Sequence, residues 1–215
     1  MKIYQNTVDD LLWEVLSTLM TLEVIRPFRL VGGTSLSLLL GHRKSVDIDL
    51  FTDVGYGSLD FEEIDTQLIN TFPSVQMSYA GNKGMGKNYF IGKSKEEAVK
   101  VDLYYTDAFI RPEIRFENIR LSQVEDIAAM KLEVVGNTGR KKDFWDLHEL
   151  MEHFSISQML DFYQERYPYN HSREELLRKL TDFSKANHDF DPLCLKSKYW
   201  ELIRLDMEEA VREVR

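Results

Sequence analysis

The segment Asp47-Ile48-Asp49-Leu50-Phe51 sets two carboxylates two positions apart in a run whose intervening residues are apolar. In an extended strand alternate side chains share a face. Val46, Ile48 and Leu50 then turn to a core, while Asp47, Asp49 and Phe51 turn away, with the acids about 6 to 7 Å apart at Cα. A second run, residues 98–105, repeats the pattern: Val99, Val101, Leu103 and Tyr105 form one face and leave Asp102 on the other. If these strands are neighbours, three carboxylates converge, and each pair at about 6 Å repels by roughly 3 kcal/mol at an effective dielectric near 20. A divalent cation relieves that conflict. Oxygen donors and the lack of a cysteine cluster favour Mg²⁺ or Mn²⁺ over structural zinc.

The residues just before the acids complete a chemistry. Gly32-Gly33 lets a backbone approach a ligand closely, and Thr34 and Ser35 add hydroxyls. The helix that follows directs its unsatisfied N–H groups and positive dipole end outward, so the corner suits phosphate. Taken alone, a glycine pair is more often a turn. Beside an acidic strand it describes nucleotidyl or phosphoryl transfer from a nucleoside triphosphate, with metal ions steadying the attacking and leaving oxygens.

The run from Gly32 to Phe51, with paired glycines, Thr34-Ser35, a leucine-rich helix, Gly41, Arg43, Ser45 and Asp47-Ile48-Asp49-Leu50-Phe51, resembles the first motif of the AbiEii/AbiGii-type nucleotidyltransferase toxins. These belong to the polymerase β-like nucleotidyltransferase superfamily. Lys131 within Ala128-Ala129-Met130-Lys131-Leu132 and the run Arg140-Lys141-Lys142-Asp143-Phe144-Trp145-Asp146-Leu147 resemble that family's lysine motif and its Lys-Asp-x-x-Asp-Leu motif. The resemblance spans roughly residues 28–150. It implies that Asp47 and Asp49 bind metal, that Asp102 is the third acid, that the acceptor is RNA such as the 3′ end of a tRNA, and that a separate antitoxin protein is a partner.

Several of these residues admit a plainer reading. On a helix from Ser122, Lys131 falls in the stripe of Val124, Ile127, Ala128 and Val135, where it either snorkels or reaches the nucleotide's phosphates. Asp143 reads as an N-terminal cap or dipole partner of its helix or as part of the nucleotide site, and Asp146 as a partner of Lys142 one turn earlier. Arg43-Lys44 is surface charge or a phosphate contact, and Arg140-Lys141-Lys142 is the best basic cluster for an acceptor. None of the five histidines has metal-ligand spacing, and Cys194 shows no sign of activation.

The elements that must hold these residues alternate in the first half. Thr7 followed by Asp10 marks a helix start, residues 28–31 a strand, Gly32-Gly33 its turn and residues 34–40 a helix that Gly41 ends. Residues 46–52 form the acidic strand, and Asp60 caps a helix with Phe61, Ile64, Leu68 and Phe72 inward. Residues 75–79, 88–91 and 98–105 are strands, with Gly81 to Gly86 as a hairpin connection. Residues 115–120 read as a last strand and Ser122 to Glu125 as a capping box. Helices then take over at 143–154, 157–167, after Ser172, and 197–214. The expected fold is α+β: a mixed-sheet nucleotidyltransferase core over residues 1–120 with helices on one face, then a helical region over 121–215.

The chain of 215 residues holds 27 Lys plus Arg against 36 Asp plus Glu, a net charge of −9, which argues against a general coat for gripping nucleic acid. Phosphate binding is therefore expected to be local. One cysteine excludes an internal disulfide, the start lacks the apolar run of a signal peptide, and no stretch approaches a membrane span; a cytoplasmic protein is expected.

The expected activity is metal-dependent transfer of a nucleoside monophosphate from an NTP to a hydroxyl acceptor. Asp47, Asp49, Asp102 and Lys131 form the catalytic set, and Gly32, Gly33, Thr34, Ser35, Arg43, Lys131 and Asp143 the nucleotide-binding set. Two alternatives stand beside it: an AMP or UMP transferase acting on a protein side chain, and a module that binds nucleotide or a partner without turnover.

Overall fold

The computed structural model describes residues 2–78 and 84–214. Helix α1 (Asp10–Leu19) leads to β1 (Arg29–Leu30), α2 (Gly32–Leu40), β2 (Asp47–Thr52), α3 (Phe61–Thr71), β3 (Ser74–Ser78), β4 (Gly86–Gly92) and β5 (Ala98–Tyr105). A hairpin of β6 (Ile114–Phe116) and β7 (Ile119–Leu121) closes the strand-bearing part. Helices α4 (Val124–Thr138), α5 (Lys141–Leu150), α6 (Ile156–Arg166), α7 (Arg173–Lys179) and α8 (Trp200–Val214) follow. The strands form one seven-stranded mixed sheet in the order β3-β4-β5-β2-β1-β7-β6.

Alternation along β2 and β5 is the organising feature. Both strands bury every second residue, so Ile48, Leu50, Val101 and Leu103 enter a core with Leu12, Leu16, Ile64 and Leu68 of α1 and α3. These two helices cover the apolar face. The opposite face of β2 and β5 carries Asp47, Asp49, Phe51, Lys100 and Asp102 and is roofed by parts of α4 and the start of α5. A second apolar cluster joins Leu36 of α2 to the inner faces of α4 through α8, around Phe144, Trp145 and Trp200.

Local chemistry explains most element ends. Asp9 caps α1 by accepting from Leu12 N at 2.7 Å, while Thr7 instead donates to Tyr4 O. Asp60 caps α3, Ser155 and Ser172 close capping boxes on α6 and α7, and Gly41 ends α2 in the left-handed region at φ 71°.

Three expectations are corrected. The strand expected over 115–120 is a tight hairpin, because Glu117 takes φ 51° and turns the chain between Phe116 and Ile119. Ser122 does not cap α4. Its N–H donates to Leu30 O at 2.9 Å as a continuation of the sheet ladder, which leaves its Oγ buried without a hydrogen-bond partner among the described residues. Gly32-Gly33 is the first turn of α2, not a turn before it. The expected Gly81 to Gly86 connection lies largely outside the described residues; Gly84 and Met85 form the turn that enters β4.

Candidate active site

Strands β2 and β5 run parallel in a register that sets Asp49 opposite Asp102. Asp47 lies two residues along the same face, so one strand pair supplies all three acids. They open on a cavity of about 250 Å³ whose walls also include Gly32, Gly33, Lys131 and Asp143. Its apolar side is formed by Val31, Phe51, Ile127, Met130 and Val134.

Glycine is required at the first turn of α2 by close approach. Gly32 has φ 66°, and a Cβ there would overlap Oδ2 of Asp49; at Gly33 a Cβ would overlap Nη2 of Arg43. The helix N-terminus therefore meets the acids across a gap that no larger residue allows. Thr34 and Ser35 face elsewhere. Thr34 Oγ1 donates to the Asp47 carbonyl and pairs with the Ser45 hydroxyl at 2.8 Å, and Ser35 Oγ is buried without a partner among the described residues. Their hydroxyls do not line the cavity.

The electrostatics divide the acids by environment. Burial, then the neighbouring Asp102 and Asp47 carboxylates, push Asp49 up to about 6. Among the described residues its carboxylate has no hydrogen-bond donor. Asp102 accepts from Asn88 Nδ2 at 2.6 Å and from Lys100 Nζ at 2.5 Å, and Asp47 has Lys142 Nζ at 3.7 Å. These hard oxygen donors, with one left bare, fit Mg²⁺ or Mn²⁺ by their chemistry. Among the described residues, however, no three His, Cys, Asp or Glu side chains are gathered at ligand distance.

Behind the cavity lies a buried network that sequence spacing did not reveal. Asp146, fully buried, accepts from His42 Nε2 at 2.7 Å, from Arg43 Nε at 2.6 Å and Nη2 at 2.8 Å, and pairs with Lys131 Nζ at 2.7 Å. The expected pairing with Lys142 is thus replaced by three long-range partners. Burial alone would raise Asp146, but Lys131 and Arg43 hold it well below the usual carboxylate range. Lys131 also donates to Asp143 Oδ1 at 2.7 Å, and burial, which would lower its pKa, is outweighed by Asp146 and Asp143. Lys131 therefore does not snorkel; it is a buried, paired cation at the cavity wall.

Asp143 is the third residue of α5 and serves the helix start, closing a capping box with Arg140. Its Oδ2 accepts from Arg140 N at 3.1 Å while Oδ1 holds Lys131, so one carboxylate secures both the helix start and the lysine. Arg43 is buried, which removes its reading as surface charge. Lys142, whose pKa burial and then Arg140 push down, lines the cavity with Arg140.

Lys100 and Ser45 are wall residues that were not among the expected site residues. The alternation that places Asp102 outward also places Lys100 outward, so Lys100 was within reach of sequence reasoning. Among the described residues, no helix is long and apolar enough to cross a membrane.

Known proteins share the fold of this chain. The Aquifex aeolicus (strain VF5) protein aq_aa25 is 26% identical, over 93% of this chain and 94% of its own length. JHP933 from Helicobacter pylori aligns with a TM-score of 0.56 at 19% identity, covering 94% of this chain and 88% of that one. The nucleotidyltransferase toxin MenT4 of Mycobacterium tuberculosis H37Rv aligns with a TM-score of 0.58 at 11% identity, covering 95% and 84%. The family model described as nucleotidyl transferase AbiEii toxin, type IV toxin–antitoxin system, matches residues 14–213, nearly the whole chain that builds the cleft. This protein accordingly belongs to the AbiEii family and is a nucleotidyltransferase.

Proposed function

We propose that the protein transfers a nucleoside monophosphate from an NTP to a hydroxyl of RNA, in a reaction that needs Mg²⁺ or Mn²⁺. The observation that carries this reading is the register of Asp49 against Asp102, with Asp47 on the same face and the first turn of α2 across the cavity. Asp47 and Asp49 would hold the ion, with Asp102 as the third ligand. When bound, such an ion polarises phosphoryl oxygens and offsets the charge that develops on them.

The chain's own groups supply the rest. The backbone N–H groups at Gly32 and Gly33 and the paired cations Lys131 and Arg43 form a positive wall for the triphosphate, preorganised by Asp143 and Asp146. Phe51, Met130 and Val134 give the nucleoside an apolar surface to lie on. The acceptor oxygen attacks the α-phosphorus, forming a P–O bond as the bond to the α–β bridging oxygen breaks and pyrophosphate leaves. The acceptor's proton passes to a carboxylate oxygen of Asp102. Arg140, 61% exposed, and Lys142 stand at the cavity where an RNA backbone would enter.

Family membership favours the 3′ end of a tRNA as acceptor, an antitoxin as partner, and the cytoplasm as the place of action. The test incubates the purified protein with Mg²⁺, labelled NTPs and total RNA. Label in RNA that disappears with Asp49→Ala and with EDTA is expected. Label in a protein band would assign a side-chain acceptor instead, and no label in either would overturn transfer to a macromolecule.

A further inference from the structure

Two of the three acids in the cleft already have ammonium partners. Lys100 Nζ is 2.5 Å from Asp102 Oδ2, and Lys142 Nζ is 3.7 Å from Asp47 Oδ2. Asp49 stands between them with no hydrogen-bond donor among the described residues. The Lys100 contact is the tighter of the two and the more constrained. Asp102 Oδ1 is tied to Asn88 Nδ2 at 2.6 Å, and Asn88 Oδ1 in turn accepts from Tyr104 Oη at 2.7 Å, so the carboxylate is fixed and presents Oδ2 to the cavity.

Lys100 lies two residues before Asp102 on the same face of β5, and its side chain is 40% exposed. Its flexible four-carbon stem lets the ammonium swing off Oδ2 without any backbone movement. An ammonium within contact distance of a carboxylate oxygen occupies the place, and supplies the sign of charge, that a cation would bring there. Both cannot hold Oδ2 at once.

We propose that Lys100 is a resident counter-ion of Asp102, that a divalent cation displaces it, and that the released ammonium then binds the phosphate chain of the incoming nucleotide. This rests on the metal-dependent reading above. Cation and triphosphate then favour each other through one side chain: the cation frees the ammonium that the phosphates use, and by reciprocity the phosphates draw the ammonium away from the cation's ligand. In their absence Asp102 is kept neutralised, which limits repulsion among the three acids.

The test is a Mn²⁺ titration of the nucleotide-free protein followed by electron paramagnetic resonance. Lys100→Met should bind Mn²⁺ about three- to tenfold more tightly than wild type, the range expected for removing a part-exposed ion pair and a nearby positive charge. A non-hydrolysable NTP analogue, titrated calorimetrically in saturating Mn²⁺, should bind Lys100→Met more weakly than wild type by a similar factor. Lys100→Arg keeps the charge and should restore wild-type Mn²⁺ affinity, while thermal unfolding confirms that each variant is folded. Lys142→Met removes the same charge from the same cavity at the looser pair and should change Mn²⁺ affinity less.

Equal Mn²⁺ affinity in wild type and Lys100→Met, or an equal gain in Lys142→Met, overturns the displacement. So does the absence of Mn²⁺ binding in both proteins. RNA labelling by wild type is scored separately, so an enzyme that transfers label yet binds Mn²⁺ equally with and without Lys100 would refute only the counter-ion.

Discussion

Arg43 and Asp146, 103 residues apart, are joined by a two-pronged ion pair, Nε to Oδ1 at 2.6 Å and Nη2 to Oδ2 at 2.8 Å, with both side chains buried. This contact links the segment after α2 to α5 and so fixes the acidic strand relative to the helical region. Two parallel N–H to oxygen bonds constrain angle as well as distance, which a lysine at position 43 would not do.

Asp146→Ala should therefore destabilise the protein by about 3 to 5 kcal/mol, because His42, Arg43 and Lys131 would be left buried around a missing charge. Urea unfolding followed by circular dichroism measures this. A loss below about 1 kcal/mol would show that Asp146 does not organise the network. Asp146→Asn, which keeps the shape but not the charge, should fall between the two proteins.

Stability should depend on pH through Asp49. Its folded pKa, about 6, lies above the usual carboxylate value, so between about pH 4 and pH 6 the folded state binds more protons than the unfolded chain. The contribution is thus complete at low pH and is lost as pH rises through 6, by about 2 kcal/mol after allowing for the solvent that reaches the cavity. In EDTA, Asp49→Asn should match wild type near pH 4 and exceed it by about that amount at pH 8. Parallel unfolding free energies across this window would contradict the raised pKa.

Gly32→Ala and Gly33→Ala should differ in kind. A Cβ at Gly32 meets the Asp49 carboxylate and is forced into φ 66°, a region that costs an alanine about 1 kcal/mol or more. At Gly33 it meets the far end of Arg43, whose guanidinium Asp146 holds in place. NTP binding measured by calorimetry should be abolished by Gly32→Ala, with a modest loss of stability. Gly33→Ala should show its main effect as lowered stability. Wild-type NTP affinity in Gly32→Ala would contradict the close approach.

Ser122→Ala should be neutral or stabilising by up to about 1 kcal/mol, since its Oγ is buried without a partner among the described residues. Ser155→Ala should cost about 1 kcal/mol, since Ser155 Oγ accepts from Gln158 N at 3.2 Å in a complete capping box. Thermal unfolding of the two variants side by side tests the contrast. A larger loss at Ser122 would mean that it caps α4 after all.

What was readable in the chain follows a common rule. The alternation of Asp47 to Thr52 and of Ala98 to Tyr105, the caps at Asp60 and Ser172 and the stop at Gly41 all depend on residues within about four positions of each other. The outward face of both acidic strands was legible for the same reason. The Ser122 box failed although its spacing was right, because a hydrogen bond to Leu30 in another strand claimed the backbone first.

The chain by itself determined which residues are acidic and on which face of their strands they lie, because a strand's two-residue period is a local property of the backbone. Only the tertiary structure decided that Asp49 sits opposite Asp102, since register between strands 53 residues apart is set by packing of their apolar faces on α1 and α3. It also decided that Asp146 gathers His42, Arg43 and Lys131 instead of Lys142. A buried charge must be met by whatever opposite charges the fold brings within reach, and here those lie 15 to 104 positions away along the chain.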